Sequence, residues 1–247
     1  MRKKLLKKLR AGIPNAITIS SMCLGLTALN LSYVRGDVYF SLLLLLAAAI
    51  LDGLDGRVAR KLGVDSPVGA QLDSLADFLN FCIAPSLILY RWVFEDFYFF
   101  GWLVVLIYLT AGAWRLARFN VMYSQGAENV KSNYFVGMPS PAGALMVFAP
   151  IILTLEGQLD STHIILKAFY VVLIGVMMAS QVRTPSLKNL RLSKGYRRYA
   201  FILVIAVTFI FWMKPILTYL FFMSAYAFSI IFVNIRRYIK AKQKIEI

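Results

Sequence analysis

Four aspartates stand where catalysis could be built. They occupy two short stretches, Asp52-Gly53-Leu54-Asp55-Gly56-Arg57-Val58-Ala59-Arg60 and, eight residues on, Gly69-Ala70-Gln71-Leu72-Asp73-Ser74-Leu75-Ala76-Asp77, each joined to a long apolar run. On helices, the i, i+3 spacing of Asp52 and Asp55 and the i, i+4 spacing of Asp73 and Asp77 put each pair on one face. The link at residues 61–70 is short enough to make the two helices antiparallel neighbours, so both pairs meet at one end. Asp52 and Asp77 would be the deeper members by about 4–6 Å.

An ionised aspartate at the centre of a membrane helix costs about 2.5–3.5 kcal/mol, and four together also repel one another. Arg57 and Arg60 bring two positive charges against four negative ones. Two divalent cations would bring four, accept all-oxygen ligands and leave charge over to hold a pyrophosphate. Intramembrane salt bridges or a proton relay are the alternative, and they account for neither the glycines nor the spacing. Gly56 and Ala59 share the face of Asp52 and Asp55 one turn further out. There they would leave a slot for a bulky substrate, or serve helix packing alone.

The elements that must position these carboxylates are membrane helices. The chain has 247 residues, 60% of them hydrophobic and 16% charged, with a mean hydropathy of +0.69. Too little polar surface remains to cover a soluble core. Apolar runs of the length that crosses a bilayer predict an all-α, polytopic membrane bundle of about eight spans, near 13–33, 38–59, 71–92, 98–118, 138–155, 162–181, 199–213 and 215–235. Trp212-Met213-Lys214-Pro215 punctuates the last two as a turn. Without that turn the count would be seven.

Net charge is +15, which in a soluble chain would suggest nucleic acid, but the placement of the basic residues gives a different account. With both termini cytoplasmic, 23 of the 27 Lys and Arg fall inside, and only Arg35, Arg91, Lys167 and Lys214 fall outside. The charge is therefore topological and attracts anionic lipids, with no need of nucleic acid. Residues 1–12 form a basic juxtamembrane segment, which would either lie on the headgroups as an interfacial helix or stand solvated. Residues 13–235 form a single transmembrane catalytic domain, with a core at 13–181 and two extra helices at 199–235. The chain ends in a basic cytoplasmic tail at 236–247. The expected location is the cell membrane, multi-pass, with the aspartates at the cytoplasmic face.

The aspartate stretches have the form D-x2-D-G-x2-A-R-x8-G-x3-D-x3-D with every position filled, and this resembles the signature of the CDP-alcohol phosphotransferases. The resemblance implies an integral membrane enzyme that displaces CMP from a CDP-linked lipid, using a second hydroxyl group and Mg²⁺ or Mn²⁺. It further implies that Asp52, Asp55 and Asp73 hold two divalent cations. Asp77 would contribute to the second cation and act as general base, and Gly56, Arg60 and Ser66 would contact the CDP portion. Pro14-Asn15-Ala16-Ile17-Thr18 resembles the family segment lining the nucleotide site, which makes Asn15 and Thr18 further contacts. Proline also suits a helix start there, so capping is the simpler role.

Arg115-Leu116-Ala117-Arg118-Phe119-Asn120, the segment opening at Gly137-Met138-Pro139-Ser140, and Asp73-Ser74-Leu75-Ala76-Asp77 are similar to the bacterial and archaeal phosphatidylserine-forming branch of that family. That branch implies CDP-diacylglycerol, or its archaeal ether counterpart CDP-archaeol, as donor and L-serine as acceptor. Phosphatidylserine and CMP would be the products, and the enzyme a homodimer. Arg115 and Arg118, with Asn120, would receive the acceptor, a guanidinium forking to its carboxylate; the two arginines equally suit a positive-inside helix end. The polar loop 119–137, with Tyr123, Gln125, Glu128, Lys131 and Asn133, would form part of that pocket or a lid. Glycerol phosphate or inositol phosphate as acceptor would want a denser basic pocket, and a lipid carrier or transporter on this fold would release no CMP. His163 is the only histidine, so neither a histidine base nor a zinc site is built here.

Overall fold

The computed structural model describes residues 2–64, 66–124, 134–159, 161–185 and 214–245. The expected span at 199–213, the polar residues Gln125, Glu128, Lys131 and Asn133, and the basic residues 188–198 lie outside the described residues.

Helix α1 (Arg2–Val34) and helix α2 (Val38–Leu62) form an antiparallel hairpin. Its seam is a stripe at three- and four-residue spacing: Pro14, Thr18, Ser21, Gly25, Ala28 and Ser32 on α1, and Val38, Ser41, Leu45, Ala48 and Asp55 on α2, all buried. Nearly all of α1's contribution is small, so the two backbones approach closely, as membrane helices require where no solvent drives association. Asp37 caps α2 by accepting from Phe40 N–H at 2.9 Å. Gly63, with φ of +61°, ends it in the left-handed conformation that glycine favours. Pro14, expected at a helix start, is internal, because α1 begins at Arg2 and runs unbroken into the membrane segment.

Helix α3 (Pro67–Phe78) starts with Ser66 as cap and Pro67 in its first turn. It continues through a π turn (Leu79–Ile83), α4 (Ala84–Leu89), a second π turn (Tyr90–Phe94) and a 3₁₀ turn (Glu95–Phe97) into α5 (Tyr98–Ser124). At ~1.5 Å per residue, the apolar run Pro67–Met122 is far too long for one crossing of a ~30 Å layer. The 3₁₀ turn breaks it, and α5 returns antiparallel: Gly101 packs on Phe94, Tyr108 reaches Phe81, and Gly112 packs on Cys82. Both spans expected near 71–92 and 98–118 thus lie in this run. Helix α5 outlasts its expected end, so Asn120 stands on a helix and not in a loop, because residues 119–122 keep a largely apolar face.

Helices α6 (Ser140–Val147) and α7 (Ala149–Leu155), offset at Phe148, and α8 (Ile164–Ala179) complete this unit. Gly175 of α8 lets Tyr108 Cα within 3.3 Å of where a Cβ would stand. A second compact unit holds a three-residue antiparallel ladder, β1 (Tyr134–Val136) with β2 (Arg183–Pro185), and helix α9 (Pro215–Ile245). Among the described residues, four helical runs are long and apolar enough to cross a membrane: Gly12–Val34, Val38–Leu62, Pro67–Met122 and Leu217–Arg236. Ser140–Leu155 and Ile164–Ala179 are shorter apolar helices. The chain is a multi-pass membrane protein, and among the described residues that ladder is the only strand structure.

Candidate active site

Asp52 and Asp55 project from the last turns of α2, while Asp73 and Asp77 project from α3. One carboxylate oxygen each from Asp52, Asp55 and Asp73 lie within 4.8 Å of one another, a group that could hold a metal ion. Asp55 is buried; it accepts from the Thr18 hydroxyl and from the Gly56 N–H. Asp77, one turn along α3 from Asp73, lies on the same helix face as Asp73. Gly53 and Leu54, between the two α2 aspartates, face outward and are exposed.

The expected donor contacts surround this group. Arg60 folds back over Gly56, so that a Cβ there would stand 3.5 Å from its Nη1, and its charge acts on both Asp55 and Asp73. Asn15 and Ser66 converge at Gly69, where an added Cβ would lie 3.1 Å from Asn15 Oδ1 and equally close to Ser66 Oγ. Ser66 is also the α3 cap, its hydroxyl accepting from Gly69 N–H at 3.0 Å. Thr18 reaches the site through Asp55.

The expected acceptor residues separate. Arg115 donates to Ser140 Oγ, and its charge acts on Asp77. Asn120 pairs with Ser74 at 3.2 Å, beside Asp73. Arg118 donates to Ala179 O at 3.0 Å and so ties α5 to the end of α8.

The sequence profile of the CDP-alcohol phosphatidyltransferases matches residues 11–182. The chain belongs to this family. Among curated relatives of the chain, a Mycobacterium bovis protein is 36% identical over 74% of the chain and 64% of its own length. A Helicobacter pylori protein is 35% identical over 86% of each. A Methanocaldococcus jannaschii protein is 36% identical over 72% of the chain and 75% of its own length. All three are named CDP-diacylglycerol–serine O-phosphatidyltransferase. The chain spans just under two thirds of the mycobacterial relative's length.

Membership implies use of a divalent metal, and the chain has the donors for one. The ligands are hard oxygens only, and Asp52 Oδ1 is buried with no hydrogen-bond partner. A buried anionic oxygen with no donor is costly unless a cation meets it.

Two site features escaped the sequence. Asn80, one turn below Asp77, is buried at 1% exposure and joins α3's helix to α1. Tyr108, at 0%, joins it to α5. Pro85 and a lone Asn80 inside an apolar run were the available signals, since a polar side chain at membrane depth needs a partner.

Proposed function

We propose that the protein transfers the phosphatidyl group of CDP-diacylglycerol, or of its ether-lipid counterpart, to the hydroxyl of L-serine, giving phosphatidylserine and CMP. The supporting observation is the clustering of Asp52, Asp55 and Asp73 within 4.8 Å, in a chain whose relatives from bacteria and an archaeon carry that activity in their names.

Asp52, Asp55, Asp73 and Asp77 would hold two divalent cations, Mg²⁺ or Mn²⁺, which supply Lewis-acid neutralisation of the pyrophosphate and of departing CMP. Arg60 adds a guanidinium at the Asp55–Asp73 side of the cluster, where the diphosphate would lie. Gly56 keeps that approach open, and Asn15, Thr18 and Ser66 border it from α1 and the α3 cap. Asp77 takes the proton of the serine hydroxyl while its oxygen attacks the phosphorus bearing the glycerolipid; the bond from that phosphorus to CMP breaks and CMP leaves with the electron pair. Arg115, whose charge acts on Asp77, is suited to the serine carboxylate, and Asn120 borders Asp73 through Ser74. Arg118 secures α5, and the acceptor would meet it only at the rim.

The topology that serves this reaction has eight spans, both termini and the aspartates on the cytoplasmic side of the cell membrane, anionic lipids at the basic ends and a homodimer as the working form. The test is purified protein with CDP-diacylglycerol, Mn²⁺ or Mg²⁺ and labelled serine, glycerol phosphate and inositol phosphate, scored for CMP and lipid product. Phosphatidylserine alone is expected. A different lipid product would reassign the acceptor, and no CMP release with any of them would remove the enzyme assignment.

A further inference from the structure

Directly beneath the carboxylates the helix leaves α geometry, where Tyr108 supplies the donor that Pro85 lacks and Asn80 fastens the turn to α1. Pro85 has no N–H, so it cannot donate to Phe81 O, its acceptor in a regular α-helix. Ala84 N–H reaches back five residues to Leu79 O and closes the π turn. Tyr108 Oη, from α5, donates to Phe81 O at 2.8 Å. Asn80, one residue earlier, points to α1: its Nδ2 donates to Ser21 Oγ at 2.8 Å, and Ser21 Oγ donates to Ala48 O of α2 at 2.8 Å. The Asn80 Oδ1 occupies the place where a Cβ on Gly25 would stand, which explains the glycine.

These groups form a layer. Asn80 lies one turn below Asp77, Ser21 one turn below Thr18, and Ala48 one turn below Asp52. The chain Asn80–Ser21–Ala48 thus links, one turn deeper, the same three helices that carry the carboxylates and Thr18. A π turn inserts one extra residue, which rotates the helix on its N-terminal side by about 100° relative to the helix on its C-terminal side.

We infer that this π turn, clamped by Asn80 and Tyr108, sets the rotation of α3 so that Asp73 and Asp77 face Asp52 and Asp55. Asn80 and Tyr108 are positioning residues for Asp77. The inference rests on the proposed role of Asp77 as metal ligand and base.

The test uses the full chain in nanodiscs with Tyr108→Phe, Asn80→Ala, Gly25→Ala, the double variant Gly25→Ala/Asn80→Ala, and Asp77→Asn as reference. Mn²⁺ binding is read from loss of the free-ion EPR signal, alongside kcat, KM and thermal unfolding. Tyr108→Phe and Asn80→Ala are expected to lower kcat by about tenfold and to weaken Mn²⁺ binding, while KM for the CDP-lipid stays near wild type and the unfolding temperature falls by a few degrees but remains well above the assay temperature. Gly25→Ala should displace Asn80 and reproduce the loss. In the double variant the new methyl fills vacated space, so stability should return and kcat should not. Wild-type kcat and Mn²⁺ binding in Tyr108→Phe and Asn80→Ala would overturn the inference, as would recovery of kcat together with stability in the double variant. An Asp77→Asn protein with wild-type kcat would remove the role of Asp77 and this inference with it. A loss there beside unaffected Asn80 and Tyr108 variants would remove this inference alone.

Discussion

The hydroxyl of Thr18 in α1 donates to the carboxylate of Asp55 in α2, and both residues are buried. Thr18 Oγ1 also lies 3.1 Å from Pro14 O, but one hydroxyl proton serves one acceptor at a time, and a carboxylate is the stronger. This puts Thr18 to work on Asp55 itself, in addition to any contact with nucleotide. Thr18→Val keeps the shape and removes the donor. Metal affinity should weaken by the ~1.5–3 kcal/mol typical of a hydrogen bond to a charged group, and Thr18→Ser should restore it. Calorimetric titration with Mn²⁺ measures both, and an unchanged affinity in Thr18→Val would return Thr18 to the nucleotide alone.

Asp52→Asn and Asp73→Asn should each abolish metal-dependent CMP release while leaving helical content and detergent-solubilised size unchanged. Chelation of the native protein should do the same reversibly. Retained metal-dependent turnover in either variant would place the metal elsewhere.

Asp77→Asn keeps one oxygen ligand and cannot take a proton. Binding of the CDP-lipid should survive, and transfer to serine should fall by about 10²–10⁴. Raised Mn²⁺ should restore binding and not rate; if it returned near-normal transfer, another group would be the base.

Arg60→Ala should raise KM for the CDP-lipid by about ten- to a hundredfold, the loss of a charge-assisted contact of ~1.5–3 kcal/mol, with KM for serine little changed. Arg115→Ala should show the reverse pattern. Steady-state kinetics with each substrate varied in turn separates the two, and a serine KM unmoved in Arg115→Ala would leave that residue as the partner of Ser140 only.

A single cysteine in place of Lys214, in an otherwise cysteine-free chain, should react with an impermeant maleimide from outside the cell and not from inverted vesicles. Lys214 is exposed. Labelling from the cytoplasmic side would refute the eight-span arrangement.

The carboxylates were legible because their meaning lies in spacing: Asp52, Asp55, Asp73 and Asp77 fall on helix faces whatever the packing, and charge in apolar sequence demands compensation. The span ends near Val34 and Val38 were legible from the apolar runs at 13–33 and 38–59, while α2 runs three residues past 59 to Leu62. The π turn was not. It is braced by Tyr108, twenty-seven residues from Phe81, and by Asn80 seated against Gly25, and the sequence around Phe81 announces neither contact. Pro85 announced an interruption but not which side chain would mend it. Pro14 misled in the other direction: a proline that suits a helix start was absorbed into a helix begun at Arg2. Arg115 and Arg118 look alike in sequence, and only tertiary packing separates one near Asp77 from one bonded to Ala179 O.

Gly53 and Leu54, on the side of α2 away from Asp52 and Asp55, are exposed on a face that would meet hydrocarbon, so the helix carrying two of the carboxylates itself borders the lipid. The proposed donor, with two long chains, would keep its tails among neighbouring lipids while its headgroup reaches the site, sparing the ~0.8 kcal/mol that each methylene would cost in water. Encounter becomes a two-dimensional event. Turnover should then track the mole fraction of donor in the membrane, and diluting it with inert lipid should slow the protein even when the total amount in the tube is unchanged.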